Sequence, residues 1–322
     1  MGLGINRARL GLASATVIAG LAVSGIAAGT ASAAQTLRIM YNPNPTNTSI
    51  VVAQQQGFFK KNGLKVTLMT SFNTAALLPA LGKQFDLLTV TPTTVLQGAA
   101  AGLKPQLVGG ETIENTKYQS SYIIAAKGIT SVKQLKGQKI GVVGLAGVLY
   151  SSTLIRLHRA GLKPSDVTFV QVPFNDMNAD LQSGAVQAVV TIYPFQGQLL
   201  AAGYSNLGNP VIAVVHNQNA MDAGWAANQS WAASHGKTLK AFAKAQNQAL
   251  AWMKANPAGV ATILENSFQL PSFVATKYDA VDYTSFAITP NYLLPWAGPL
   301  WTSGQMKKKL TTSQVKALVY GY

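Results

Sequence analysis

The sequence predicts an α/β fold built on an open sheet, and three observations point there. Short β-type runs alternate with helical patterns over the first two thirds of the chain. Small polar residues gather where those runs give way to helices. The last third turns helical, as expected of elements laid against a sheet already formed.

The elements follow in order. Strands are expected at 36–41 (TLRIMY), 65–70 (KVTLMT), 86–90 (DLLTV), 138–143 (QKIGVV), 168–172 (TFVQV) and 187–192 (QAVVTI). Helices are expected near 47–56, 76–82, 148–160 and 177–183. Asp176 stands where it can N-cap the helix from Met177, and Gly161 and Gly184 suit left-handed C-caps. Pro79 conflicts with a continuous helix from Thr74, so a kink or late start is expected there. Over 236–255, Leu239, Phe242, Gln246, Leu250 and Met253 keep helical spacing, with Lys240 and Lys244 on another face; Pro257 stops that helix and starts the next. Trp231 and Trp252 read as core anchors rather than ligand contacts.

The first segment sets the compartment. Arg7 and Arg9 precede an apolar stretch at 10–28, and Ala31-Ser32-Ala33 gives the small-residue pattern of a cleavage site, so 1–33 reads as an export signal. The stretch is rich in Gly, Ala and Ser, which makes it a poor permanent span. The chain has no cysteine, which removes disulfides, thiolate metal sites, a cysteine nucleophile and lipid attachment at an N-terminal cysteine. Loss of Arg7 and Arg9 lowers the formal charge from +15 to +13. The lysines are scattered, with one run at Lys307-Lys308-Lys309 that reads as a solvated helix face, and no zinc or RNA-binding motif accompanies them; nucleic acid is not expected as a partner.

Catalytic patterns are absent. His158, His216 and His235 stand alone without metal-ligand spacing, and His158 falls on the exposed side of its helix beside Arg156 and Arg159. There is no G-x-S-x-G elbow, P-loop or G-x-G-x-x-G. Asp176 and Asp180 are better read as a cap and a following-turn residue than as paired carboxylates. No cofactor, no metal and no enzyme activity are expected.

The strand-to-helix turns say more. Ligands of open α/β sheets collect beyond the carboxyl ends of the strands, where helix N-termini present unpaired N–H groups. Asn42, Asn44 and Thr46 follow the first strand; Phe72, Asn73 and Thr74 follow the second; Thr91 and Thr93 flank Pro92 after the third. Gly144, Ala146 and Gly147 lie in a small-residue turn that lets backbone approach a ligand, while Tyr193 and Pro194 end the last strand and offer an aromatic wall. Any one of these turns is an ordinary cap or loop; convergence on one cleft would make them a binding site. Arg38, Arg156 and Arg159 remain after cleavage and none lies in a candidate turn, so an anion would have to rely on helix N-termini, hydroxyls or a lysine. A neutral or aromatic molecule fits as well.

The segments GFFKKNGLKVTL (57–68), ALGKQFDLLTVTPTTV (80–95), AAGLKPQLVG (100–109), SVKQLKGQKIGVVGLAG (131–147), AGLKPSDVTFVQVPF (160–174) and MNADLQSGAVQAVV (177–190), with 228–257 beyond, resemble the ABC-importer binding proteins of the sulfonate, taurine, nitrate and thiamine-precursor group. Two departures stand out: Gln187 replaces a frequent acidic residue, and the lipid-bearing cysteine of many members is missing. The resemblance implies a two-lobed type II periplasmic-binding-protein fold with crossings near 119–126 and 211–215. Lobe one would be 34–122 with 213–322, and lobe two 123–212. It further implies a monomeric protein of the periplasm or cell exterior that closes on a sulfonate, pyrimidine or aromatic acid and delivers it to a membrane permease and ATPase; the signal segment adds export, and the lack of cysteine adds that it is not a lipoprotein. Two rivals are a thiamine-pyrimidine-synthase-like enzyme on the same fold, which depends on a cysteine-rich motif and a reactant histidine, and an extracellular sensor that feeds no transporter.

Overall fold

A computed structural model describes residues 35–216, 218–276 and 286–321. The segment 1–33, expected from sequence to be an export signal, lies outside the described residues, and 34–322 forms one compact unit. That unit contains two five-stranded sheets.

The first sheet has the order β2-β1-β3-β10-β4, from β1 (Gln35–Tyr41), β2 (Leu64–Thr70), β3 (Leu87–Val90), β4 (Pro105–Glu114) and β10 (Ala220–Asn228). β1 pairs in parallel with β2 and β3, whereas β10 runs antiparallel between β3 and β4. The second sheet has the order β7-β6-β8-β5-β9, from β5 (Ser121–Ala125), β6 (Lys139–Val142), β7 (Thr168–Gln171), β8 (Ala188–Ile192) and β9 (Ser205–Asn206). Here β6 is parallel to β7 and β8, and β5 runs antiparallel to β8.

Helices cover both faces, which is why the central strands are apolar throughout rather than alternating. On one face of the first sheet α1 (Thr48–Gln55), α2 (Phe58–Lys61), α8 (Gln229–Ser234), α9 (Gly236–Ala255) and α10 (Pro257–Phe268) close a core around Leu37, Ile39, Ile50, Trp225 and Phe242. Phe242 meets the rings of Trp225 and Phe286 edge-on at 5.6 and 5.5 Å, an arrangement that adds to the burial of three large side chains. The other face carries α3 (Pro92–Ala100) and a helix at Leu294–Thr302, with Leu96, Leu107 and Trp296 buried. α4 (Gly147–Arg159) reaches the same core through Val148 and Ile155, together with α7 (Pro210–Val214). In the second sheet α5 (Met177–Ser183) and α6 (Gln196–Ala201) bury Met177, Leu181 and Leu199.

The expected strands and the long helices form within a residue or two of their predicted ends. Gly184 caps α5 at φ +78°, and Gly161 is left-handed at +79° just past α4. Gln187 keeps its place by hydrogen bonds to local backbone: its Oε1 accepts from Lys139 N at 3.2 Å and its Nε2 donates to Gly184 O at 2.8 Å. His158 is exposed, and Trp231 and Trp252 pack half-buried against the core.

Three expectations need correction. Asp176 sits at the N-cap position of α5 with helical backbone angles, so its side chain makes no capping bond. The helix near 76–82 is a 3-10 helix at Thr74–Ala80, because Pro79 withholds the N–H that an α-helix needs. Lys307-Lys308-Lys309 is exposed as expected, but on an irregular segment instead of a helix. Residues 210–214, within the expected return connection, form the helix α7, started by Pro210 at its first position and by Asn209, whose Oδ1 accepts from Val211 N and Ile212 N.

Among the described residues no helix is long and apolar enough to cross a membrane.

Candidate functional site

The carboxyl ends of the parallel strands of both sheets open onto one cavity of about 110 Å³. From the first sheet come the residues after β1 (Asn42, Asn44, Thr46, Asn47), after β2 (Phe72, Asn73, Thr74, Ala75) and at the end of β3 (Thr89, Val90, Thr91, with Thr94 on α3). From the second come Val143, Gly144, Ala146 and Gly147 between β6 and α4, Val148 and Leu149 on α4, Phe174 after β7, and Ile192 at the end of β8. Asp222 and Ala223 of β10 complete the lining.

Ten of the thirteen residues singled out from sequence therefore meet here: Asn42, Asn44, Thr46, Phe72, Asn73, Thr74, Thr91, Gly144, Ala146 and Gly147. Thr93 does not line the cavity. It is fully buried on α3, and its hydroxyl lies 2.9 Å from that of Thr91, which supports the turn from behind. Tyr193 and Pro194, joined by a cis peptide, follow Ile192 but stay off the lining. The aromatic wall comes instead from Phe174, whose ring stacks on Phe195 with centroids 5.7 Å apart.

The loops on the first sheet are held by their own side chains. Asn47 Nδ2 donates to Asn42 O at 3.0 Å, and Thr89 Oγ1 donates to Asn47 Oδ1 at 2.8 Å. Asn44 Oδ1 accepts from Thr46 N at 3.0 Å. Asn42 Nδ2 donates to Phe72 O at 3.2 Å, which ties the turn after β1 to the turn after β2. The site is thus a preset polar shelf rather than a loose collection of loops. Across the cavity, Gly147 opens α4 at φ +83°, a conformation that strains any residue with a Cβ. Ala146 at its N-cap offers no side-chain acceptor, so the first N–H groups of α4 are left without a side-chain cap beside the cavity. Phe72 is 70% exposed and Leu145 50% exposed, on turns from opposite sheets.

Asp222 is the residue that sequence reasoning missed most clearly. β10 pairs Met221 with Ile113 and Ala223 with Thr112, leaving Asp222 unpaired at a bulge, and the bulge turns its side chain to the cavity. Burial, and after it the charge of nearby Glu114, push its carboxyl well above the usual carboxylate range. Glu114 is itself raised by burial, although Asn209 Nδ2 (2.8 Å), Ser121 Oγ (2.8 Å), Ser120 N (3.0 Å) and Ser121 N (3.1 Å) all donate to it. A lone acid in a Gly- and Ala-rich run was the available clue.

Among the described residues, no lysine, arginine or histidine lines the cavity. Arg38 Nη2 pairs with Asp86 at 2.7 Å, Arg156 Nη1 donates to Gly208 O at 3.3 Å, and Arg159 Nη1 donates to Ala213 O at 2.8 Å. Among the described residues, no group of three or more His, Asp or Glu side chains is placed to hold a metal ion.

Residues 44–260 match the family described as NMT1/THI5 like. A Haemophilus influenzae protein named for thiamine biosynthesis is 34% identical over 151 residues, which cover 46% of this chain and 46% of that protein. The chain therefore spans about half the length of that curated relative. A 4-amino-5-hydroxymethyl-2-methylpyrimidine phosphate synthase of Uromyces fabae is 25% identical over 231 residues, covering 68% of this chain and 66% of that one. In fold, the chain is similar to the alkanesulfonate-binding protein SsuA of Xanthomonas axonopodis pv. citri solved with MOPS, at a TM-score of 0.72 and 20% identity, over 88% of this chain and 98% of that chain.

Proposed function

This chain belongs to the NMT1/THI5-like family, and from that membership we propose that it is the exported solute-binding component of an ABC importer, capturing a small organic solute without turning it over. The observation that carries the reading is the cavity itself: one polar shelf from the first sheet and one helix terminus with a phenylalanine from the second face each other across it. A solute held there touches both sides, so it stabilises a closed arrangement more than an open one. Moving a closed population from 1:99 to 99:1 takes about 5.5 kcal/mol of differential binding, within reach of a few cross-cleft hydrogen bonds and one buried aromatic contact.

In this reading the lobes are 34–122 with 213–322, and 123–212. β4 ends at Glu114 and β5 starts at Ser121, while β9 ends at Asn206 and β10 starts at Ala220 with α7 between them, which supports a short outward connection and a helix-bearing return between the two sheets. The partner is a membrane permease with its ATPase, and one copy of the protein suffices for capture. Residues 1–33 support export to the periplasm or cell exterior.

The Uromyces fabae relative favours a second reading, an enzyme of pyrimidine synthesis on the same fold. The residues argue against it: the chain has no cysteine, and none of its three histidines lines the cavity. A thermal-shift screen of sulfonates, nitrate, pyrimidines and aromatic acids on the mature chain, followed by small-angle scattering on each hit, tests the proposal. Stabilisation with compaction and unchanged ligand is expected. Conversion of a hit to product, or covalent capture of pyridoxal phosphate with iron present, would overturn it in favour of the enzyme.

A further inference from the structure

Among the described residues, one group lining the cavity is able to hold charge, and it is an acid. Asp222 lines the cavity at the β10 bulge, takes no hydrogen bond among the described residues, and faces no cation there. Asn42 adds a second unsatisfied acceptor: its Nδ2 is committed to Phe72 O, while its Oδ1 is buried without a partner. Every arginine of 34–322 is engaged elsewhere with Asp86 or with backbone carbonyls. Asn42 Oδ1 is a buried acceptor without a donor, which is costly, and Asp222 is a half-buried acid that faces the cavity with no donor, so a ligand that brings donors satisfies both. We infer that Asp222 selects the ligand: the solute carries a cationic or N–H-bearing nitrogen that donates to Asp222, on a flat or apolar body seated against Phe72 and Phe174, and free anions are rejected.

The inference rests on the solute-capture reading and sharpens it. The walls fit that body, since Val143, Phe174 and Ile192 are apolar and Phe72 stands exposed at the mouth. Discrimination follows from the same geometry: a cationic nitrogen lets the acid ionise and pairs with it, whereas an anion is held only while Asp222 keeps its proton and is repelled once the acid ionises. An N–H donor instead satisfies the acid and replaces the water lost on binding.

The test uses the mature chain with benzylamine, 4-aminopyrimidine, benzenesulfonate and nitrate as probes, followed by calorimetry and small-angle scattering. At least one nitrogen probe is expected to bind the wild type with compaction, and to bind Asp222→Asn about tenfold more weakly, the loss of one charge-assisted hydrogen bond. Ligand-free Asp222→Asn is expected to melt at the same temperature as wild type or higher, because it removes a half-buried acid that has no hydrogen-bond donor among the described residues. A lower melting temperature would make Asp222 structural and overturn the inference. Binding and compaction with benzenesulfonate or nitrate, unchanged or tightened in Asp222→Asn, would also overturn it while leaving solute capture intact. No binding by any of the four probes would overturn it as well, and if the wider screen then gave no compaction either, solute capture would fall with it.

Discussion

Glu111 shows how much a single buried residue sets. Trp225 Nε1 donates to its Oε2 at 2.6 Å, and Ser49 Oγ lies 2.7 Å from its Oε1 and 2.9 Å from Gln246 Oε1. One hydroxyl proton cannot serve two acceptors; the count closes either with a proton on Glu111, which donates to Ser49 while Ser49 donates to Gln246, or with the Gln246 amide turned so that its Nε2, otherwise without a partner, donates to Ser49. Burial accordingly raises Glu111 from 4.5 to about 7, against the lowering effect of its hydrogen bonds to Ser49 and Trp225. Between those values the folded chain binds more protons than the unfolded one, so stability is full below pH 4.5 and falls as pH rises through about 7. The loss is about 3 kcal/mol once both states are ionised. Melting curves from pH 4.5 to 8 should show that decline, and Glu111→Gln should make it shallower, leaving the part that the raised carboxyls of Glu114 and Asp222 contribute. Nothing in the spacing of the sequence marks Glu111 or Asp222, because their roles come from partners in β10, β4 and α1 that only the folded chain assembles.

Strands and helices with clean periodicity were legible, and the antiparallel ones were not. β1, β2, β3, β6, β7 and β8 are short apolar runs closed by turn residues, which is the pattern that sequence carries best. β4 (PQLVGGETIE) and β10 (AMDAGWAAN) break their apolar runs with Gly, Glu and Asp, so neither reads as a strand. The interruptions have physical reasons. Gly109 makes room for Phe286, whose ring carbon would lie 2.0 Å from an added Cβ. Gly109→Ala is therefore expected to destabilise by about 1–3 kcal/mol through forced displacement of a buried ring, seen as a lower denaturation midpoint with an unchanged slope. The candidate site was legible to the extent that it is built from turns after predicted strands. It was hidden where it draws on β10 and on Phe174, which only the folding of distant segments brings to the turns.

At the scale of the whole molecule, Glu114 joins what the two connections between sheets must share. It sits at the end of β4, and it accepts from Ser120 and Ser121 on the outward connection and from Asn209, the cap of α7, on the return. Glu114→Ala strands those donors and should cost about 3–5 kcal/mol, whereas Glu114→Gln keeps an acceptor for the N–H groups and a donor for the Ser121 hydroxyl. Chemical denaturation of both variants checks the contrast, with a near-wild-type midpoint expected only for glutamine. The order of strands in the first sheet also has a temporal consequence. β10 lies between β3 and β4 although about a hundred residues of chain separate it from β4. While a nascent chain is still leaving the ribosome, the second sheet, contiguous from residue 121 to 206, has everything it needs to nucleate. The first sheet keeps an open slot until residue 228 has been synthesised, so the amino-terminal third stays unlocked through most of translation.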